Sequence, residues 1–140
     1  MIFKSKRDPL FLITIYGVIL ILIAILIYDI TKAHISLHIC FHLFDLLLIA
    51  FLLWIFYGTY YLLDNTHLSY FCGPIKGKIE ISTIKEITPN KTMWVGLKPA
   101  TGRKGLIIKY DKYDEIYISP INNDIFIAEI LKLNPAIKIQ

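Results

Sequence analysis

Two long apolar runs near the N-terminus constrain this chain more than any other feature of its sequence. The first run, residues 10–28, contains no charged residue, and the second, residues 39–57, contains one acidic residue, Asp45. A helix formed by either run, rising about 1.5 Å per residue, nearly spans a hydrocarbon core about 30 Å thick. The sequence therefore predicts a transmembrane helical hairpin in which residues 29–38 form a short link between the two spans.

The composition supports a lipid environment for part of the chain. Hydrophobic residues make up 56% of it and charged residues 19%, against about 45–50% and about 25% in soluble domains. The composition excludes a disordered chain, and two cysteines are too few for a disulfide scaffold. Because Cys40 falls near the outer end of a span and Cys72 on the cytoplasmic side, we expect both to be free, mostly buried thiols.

The basic residues near the runs predict which side of the membrane each terminus occupies. They are Lys4, Lys6 and Arg7 before the first run, Lys32 in the link, and Lys76 and Lys78 after the second run. Because cytoplasmic loops carry an excess of Lys and Arg, we expect both termini to be cytoplasmic and the protein to lie in the plasma (inner) membrane. A cleaved signal peptide is the alternative for the first run, but its apolar segment would be too long and no small-residue cleavage site follows Tyr28.

A stripe of polar residues marks the second run. His34, His38 and His42 recur every four residues, and Asp45 follows, so a helix would place them along one face. Such a stripe could hold a transition metal or relay protons. The simpler interpretation is a structural polar contact, with His42 paired to Asp45 and Asp45 facing the first helix or a neighbouring protomer rather than lipid.

After Thr59 the apolar periodicity changes from helical to alternating. The predicted strands are residues 59–63, 66–71, 78–82, 84–87, 106–110 and 116–119. A helix follows, capped by Asn122 or Asn123 and ended by Asn134-Pro135. The sequence thus predicts an α+β membrane protein, with a tail and two transmembrane helices in residues 1–57. Residues 58–140 are predicted to form a small antiparallel sheet or barrel closed by the C-terminal helix.

Residues 58–140 resemble a known family. The matching stretches are Thr59-Tyr60-Tyr61-Leu62-Leu63-Asp64, Gly73-Pro74-Ile75, residues 79–87, residues 105–110, and Ile116-Tyr117-Ile118-Ser119-Pro120 with Phe126, Leu131 and Asn134-Pro135-Ala136-Ile137. They are similar to the pleckstrin-homology-like (PH-like) domain of bacterial membrane proteins, long catalogued as a domain of unknown function. The resemblance implies a PH-like fold, for which two N-terminal transmembrane helices are a common arrangement. It implies no catalytic residues.

One loop of the soluble half is strongly basic. No acidic residue occurs between Glu86 and Asp111, while an apolar segment, Met93-Trp94-Val95-Gly96-Leu97, lies within that stretch. Basic residues beside such a segment suit an anionic membrane surface, at about 1 kcal/mol for each Lys or Arg near it. The candidate lipid-binding residues are Lys91, Trp94, Lys98, Arg103 and Lys104. The alternative is that Trp94 and Leu97 face inward on one more strand.

The predicted function is that of a membrane-anchored interaction or scaffolding module, which binds a protein partner or self-associates. Binding of anionic lipid headgroups through residues 91–104 is the alternative. We expect no enzymatic activity, no cofactor, no metal and no nucleic acid partner. His67 and Asp64 are better explained by a turn, and the sequence has no glycine-rich phosphate loop, Cys/His metal motif or paired-carboxylate signature.

Overall fold

The structure, a computed structural model, describes residues 1–31 and 35–140, with side chains described throughout except at residues 35–39. The helices are α1 (Pro9–Thr31), α2 (Ile35–Tyr57) and α3 (Asn123–Leu133). The strands are β1 (Ile2–Lys4), β2 (Tyr60–Leu63), β3 (His67–Cys72), β4 (Ile75–Glu80), β5 (Ile84–Lys91), β6 (Gly105–Tyr110), β7 (Asp114–Ile118) and β8 (Lys138–Ile139). A short 3-10 helix, Ile81–Thr83, lies between β4 and β5.

Helices α1 and α2 form the predicted hairpin but extend beyond the predicted spans. Helix α1 ends at Thr31 rather than Tyr28, and α2 begins at Ile35 rather than Ile39. The predicted link was too long because residues 29–38 contain neither proline nor glycine to end a helix. Both helices are long and apolar enough to cross a membrane, and only 6% and 11% of their most apolar windows are buried. Their outward apolar surface is therefore uncovered by the rest of the described chain.

The N-terminal tail joins the soluble half rather than the helical hairpin. Strand β1 pairs antiparallel with β2, with Ile2 opposite Leu62 and Lys4 opposite Tyr60. The prediction that the tail belongs with the two spans is wrong, because three residues are too few to show a strand periodicity in the sequence. The pairing places the N-terminus and residues 58–140 at the same end of the helical hairpin.

The soluble half contains two four-stranded sheets, in the orders β1-β2-β3-β4 and β7-β6-β5-β8. The α+β prediction is confirmed, but the sheets do not close into a barrel, since the 3-10 helix turns the chain from one sheet to the other. Helix α3 buries Phe126 and Ile130 in the shared core. Its predicted cap is confirmed, because the Asn122 side chain accepts a hydrogen bond from the Ile125 backbone N–H at 3.1 Å.

Candidate functional site at the junction of the helices and the domain

The loop between β5 and β6, residues 92–104, carries an exposed apolar tip. Trp94 is 85% exposed and Val95 is 88% exposed, whereas Met93 is buried beneath them. The interpretation of Trp94 as an inward-facing strand residue is therefore wrong. Leu97 makes a single parallel bridge to Ile116, and its carbonyl accepts a hydrogen bond from the Tyr117 N–H at 3.0 Å. This bridge holds the base of the tip against β7 without forming a further strand.

Loop 92–104 lies against the first turns of α1. Lys98 and Ala100 line a cavity of about 160 Å³ together with Phe11 and Thr14 of that helix. The Lys98 ammonium group stands 5.9 Å from the centre of the Trp94 ring, within cation–π range. The exposed tip is therefore held beside the end of the hairpin from which the domain emerges.

Arg103, a candidate lipid-binding residue, is already engaged by a carboxylate. Its Nε and Nη2 donate to the Asp8 carboxylate oxygens at 2.7 Å and 3.2 Å, a bidentate pair. Asp8 is nearly buried and caps α1 by accepting from the Leu10 N–H at 3.0 Å. The hydrogen bond from Arg103 holds the pKa of Asp8 below its ordinary value of 3.8. The pair thus fastens loop 92–104 to the start of α1.

The remaining basic residues of the stretch fall into two groups. Lys91, Lys98 and Lys104 are exposed, and none has a carboxylate partner among the described side chains. Lys109 instead donates to Glu86 at 3.0 Å, which raises the pKa of Lys109. The loop therefore presents two lysines without carboxylate partners, Lys98 and Lys104, and Lys91 at the end of β5 adds a third beside it.

A buried cluster of hydroxyl groups joins the N-terminal tail to loop 92–104. The Ser5 hydroxyl oxygen lies 3.1 Å from the Tyr61 hydroxyl, 2.9 Å from the Ser119 hydroxyl and 3.0 Å from the Thr101 hydroxyl. Burial raises the pKa of Tyr61, whose hydroxyl donates to the Pro99 carbonyl. These residues are distant in sequence, so no sequence pattern pointed to this cluster, which we name the hydroxyl cluster (Ser5, Tyr61, Thr101, Ser119).

The predicted contact between His42 and Asp45 is not formed. The His42 Nε2 atom lies 3.5 Å from a carboxylate oxygen of Asp29, without completing a hydrogen bond. The prediction was wrong because α1 continues far enough to bring Asp29 to α2. Asp45 is half-buried. His34 and the side chain of His38 lie outside the described residues, and within the described part no group of three metal-ligating side chains is found.

The two cysteines form no disulfide, as expected. Cys72 is buried as predicted, but Cys40 is exposed, because its face of α2 is not covered by the described chain. The Cys72 sulfur accepts a hydrogen bond from the Thr59 hydroxyl at 3.3 Å. Cys72 therefore acts as a small packing residue at the beginning of the domain.

The pair of Asp8 and Arg103 makes a pH-dependent contribution to stability. We expect Asp8→Asn to lower the thermal midpoint of the purified chain at pH 7, because asparagine keeps the helix cap but loses the charge. The folded-state pKa of Asp8 lies below 3.8, so the stabilisation is complete above that pH and is lost as the pH falls through the lower, folded-state value. Thermal scans at pH 7 and in the acid range measure this difference.

The matched control for that experiment is Glu129→Gln. It removes the exposed pair of Glu129 and Lys132 on α3, which we expect to contribute little. A midpoint for Asp8→Asn equal to that of the wild-type chain at pH 7 would contradict the role of the Asp8–Arg103 pair.

Comparisons with known proteins agree with the fold of the soluble half. A family model described as a bacterial PH domain matches residues 59–134. The chain is also similar to the uncharacterized protein YyaB of Bacillus subtilis (strain 168), with 29% identity over 137 residues, covering 96% of this chain and 93% of the relative. That likeness extends over both long helices as well as the domain. No solved structure matches the chain significantly.

Proposed function

The chain belongs to the bacterial PH domain family, and from this membership we propose that it is a membrane-anchored domain whose loop 92–104 inserts into the lipid interface of its own membrane. The observation that carries the proposal is the exposure of Trp94 and Val95 on a loop held against α1. The proposal includes no catalytic step and no cofactor.

The anchor is the hairpin of α1 and α2, which crosses the membrane in this proposal with both termini on the cytoplasmic side. Gly58 and Thr59 are the only residues between the end of α2 and the start of β2, so at about 3.3–3.6 Å per residue the domain stays at the membrane surface. Gly73 supports this placement, since a Cβ atom there would stand 2.6 Å from the Ile55 side chain of α2. The domain therefore packs directly against the C-terminal end of α2.

The chemistry of loop 92–104 fits an interface between water and lipid. Tryptophan favours the headgroup level, where its ring is amphipathic, and Val95 adds apolar surface. The exposed lysines Lys91, Lys98 and Lys104 would each contribute about 1 kcal/mol at an anionic surface. Arg103 has a different part in this proposal, because its pairing with Asp8 positions the loop.

Trp94 itself can report its environment. The chain has two tryptophans, so Trp54→Phe leaves Trp94 as the only indole. In full-length protein reconstituted into anionic vesicles, we expect Trp94 emission to be blue-shifted and quenched by brominated lipid. Adding Lys98→Glu and Lys104→Glu is expected to weaken the quenching, with the matched control Lys85→Glu and Lys112→Glu leaving it unchanged.

Emission from a fully hydrated Trp94, insensitive to brominated lipid in anionic vesicles, would contradict the proposal. Binding of a protein partner, or self-association, would then become the favoured function. The structural support for it is β4, which ends its sheet and has no strand on its outer side among the described residues. An open edge of this kind can accept an added strand.

A further inference from the structure

A second cavity lies on the junction, formed by the N-terminal tail and the end of α2. It has a volume of about 330 Å³, and its lining includes Lys4, Arg7, Phe56, Tyr57, Thr59 and Tyr60. No acidic residue contributes to the lining. We name it the tail cleft, and it shares no lining residue with the cavity beside loop 92–104.

Arg7 is held in the tail cleft by aromatic rings rather than by a carboxylate. Its guanidinium carbon stands 4.5 Å from the centre of the Tyr57 ring and 5.7 Å from that of Phe56. Stacking on a ring face leaves the N–H groups at the guanidinium edge available. Among the described residues neither Arg7 nor Lys4 makes an ion pair. Arg103, by contrast, is paired with Asp8. The cleft thus presents two uncompensated cations beside an aromatic wall.

Two cations beside an aromatic wall favour a ligand that has an anionic group with several acceptor oxygens next to an apolar part. A guanidinium edge donates two parallel hydrogen bonds to a phosphate group, and a nearby ammonium adds a point charge. Arg7 precedes α1 and Tyr57 ends α2, so in a spanning hairpin the cleft would open at the level where phosphate groups of lipids lie. We propose that the tail cleft binds the phosphodiester of one glycerophospholipid, with Arg7 and Lys4 on the phosphate and the exposed tyrosines of the aromatic wall, Tyr57 and Tyr60, beside the glycerol.

The proposal depends on different residues from the insertion of loop 92–104. It requires that the hairpin crosses the membrane, but it does not require that Trp94 enters the lipid. A lipid in the tail cleft would contact both β1, through Lys4, and the end of α2, through Tyr57. It would therefore join the first strand of the domain to its anchor.

Native mass spectrometry of the full-length, delipidated protein in detergent tests the proposal. We expect one molecule of added phosphatidylglycerol to be retained, and Lys4→Gln with Arg7→Gln to weaken its binding about tenfold or more. The charge-matched control, Lys85→Gln with Lys112→Gln, removes two exposed lysines outside the cleft and should bind as the wild-type chain does. Lys98→Gln with Lys104→Gln should also retain the lipid, which separates this site from the proposed function.

Two further probes define the ligand. Diacylglycerol, which lacks phosphate, should not be retained, and free glycerol phosphate should bind far more weakly than the lipid. Equal retention of diacylglycerol, or free glycerol phosphate bound as tightly as the lipid, would overturn the assignment to a phospholipid. Because the double variant could disturb β1, Arg7→Lys serves as a second variant. It keeps the positive charge but cannot donate two parallel hydrogen bonds to the phosphate. Unchanged binding in both Arg7 variants would overturn the proposal.

Discussion

Residues 58–140 alone are expected to fail to fold, whereas the same residues joined to residues 1–8 by a short Gly-Ser linker are expected to unfold in one cooperative transition. The linker is feasible because the Ser5 backbone N–H donates to the Thr59 carbonyl at 3.2 Å, so the two ends left by removing the hairpin lie close together. Circular dichroism in the near and far ultraviolet, followed during heating, compares the two chains directly.

The physical reason is that the tail completes both the sheet and the core. The Lys6 backbone N–H donates to the Ser119 carbonyl at 2.6 Å, and the Phe3 ring meets the Phe126 ring edge-on at 5.0 Å. Ser5 is the centre of the hydroxyl cluster. Each buried polar group left without a partner costs about 1–3 kcal/mol, against a total domain stability of about 5–15 kcal/mol. Loss of the tail would therefore remove most of the free energy of unfolding of the domain.

A linked chain carrying Ser5→Ala is the control for that experiment. It removes one member of the hydroxyl cluster but keeps β1, so we expect it to fold with a lower thermal midpoint than the linked parent. A cooperative melt of residues 58–140 alone, at the midpoint of the linked chain, would show that the tail contributes nothing to the fold.

Gly105→Ala is expected to destabilise the soluble domain by about 3 kcal/mol or more, at the upper end of the costs of overpacking. A Cβ atom at Gly105 would stand 2.2 Å from the carbonyl oxygen of Ile118 and 3.0 Å from the Cα of Ser119. These are backbone atoms of the last residue of β7 and of the residue directly after it, so no side-chain rotation can relieve the contact. The Gly105 N–H also donates to the Tyr117 hydroxyl at 2.9 Å. If β6 moved away from β7 to make room for the alanine Cβ, this hydrogen bond would be strained.

The matched control is Gly17→Ala. Gly17 lies in α1, where an added Cβ meets nothing within 4 Å, and alanine is the better helix former. Chemical denaturation of the full-length protein in detergent, followed through the near-ultraviolet signal of the domain, measures both variants. Equal midpoints for the two alanine variants would mean that β6 and β7 are less closely packed at Gly105 than the structure has them.

Sequence patterns predicted those parts of the fold that local chemistry decides. The length of the two apolar runs predicted α1 and α2, and alternation of apolar and polar residues predicted most of the strands. The polar residue before α3 predicted a helix cap, which the hydrogen bond from the Ile125 N–H to the Asn122 side chain confirms. The family resemblance, which is confirmed over residues 59–134, predicted that these strands and the last helix belong to one PH-like domain. Local patterns fail at the ends of the helices, where no residue between positions 29 and 38 marks a stop.

The candidate site was predicted only in part, because its organisation depends on contacts between distant residues. The composition of loop 92–104 was visible in the sequence, but its attachment to α1 depends on Asp8, which lies 95 residues from Arg103. The hydroxyl cluster likewise joins Ser5 to Ser119 across 114 residues. Serines and a lone aspartate occur on most protein surfaces, so nothing in their local sequence distinguished them. The tail cleft is not visible in the sequence for the same reason, since it depends on the pairing of β1 with β2.

The pairing of β1 with β2 has a consequence for biosynthesis. The ribosome makes the first strand of the domain before either helix, and the strand that pairs with it only after both. In a chain that inserts both helices, the two strands meet on one side of the bilayer and the domain can close. In a chain that inserted only one helix, the bilayer would separate β1 from β2, and the sheet of the domain would stay incomplete. Under the proposed insertion of the hairpin, closure of the domain would therefore depend on the insertion of both α1 and α2.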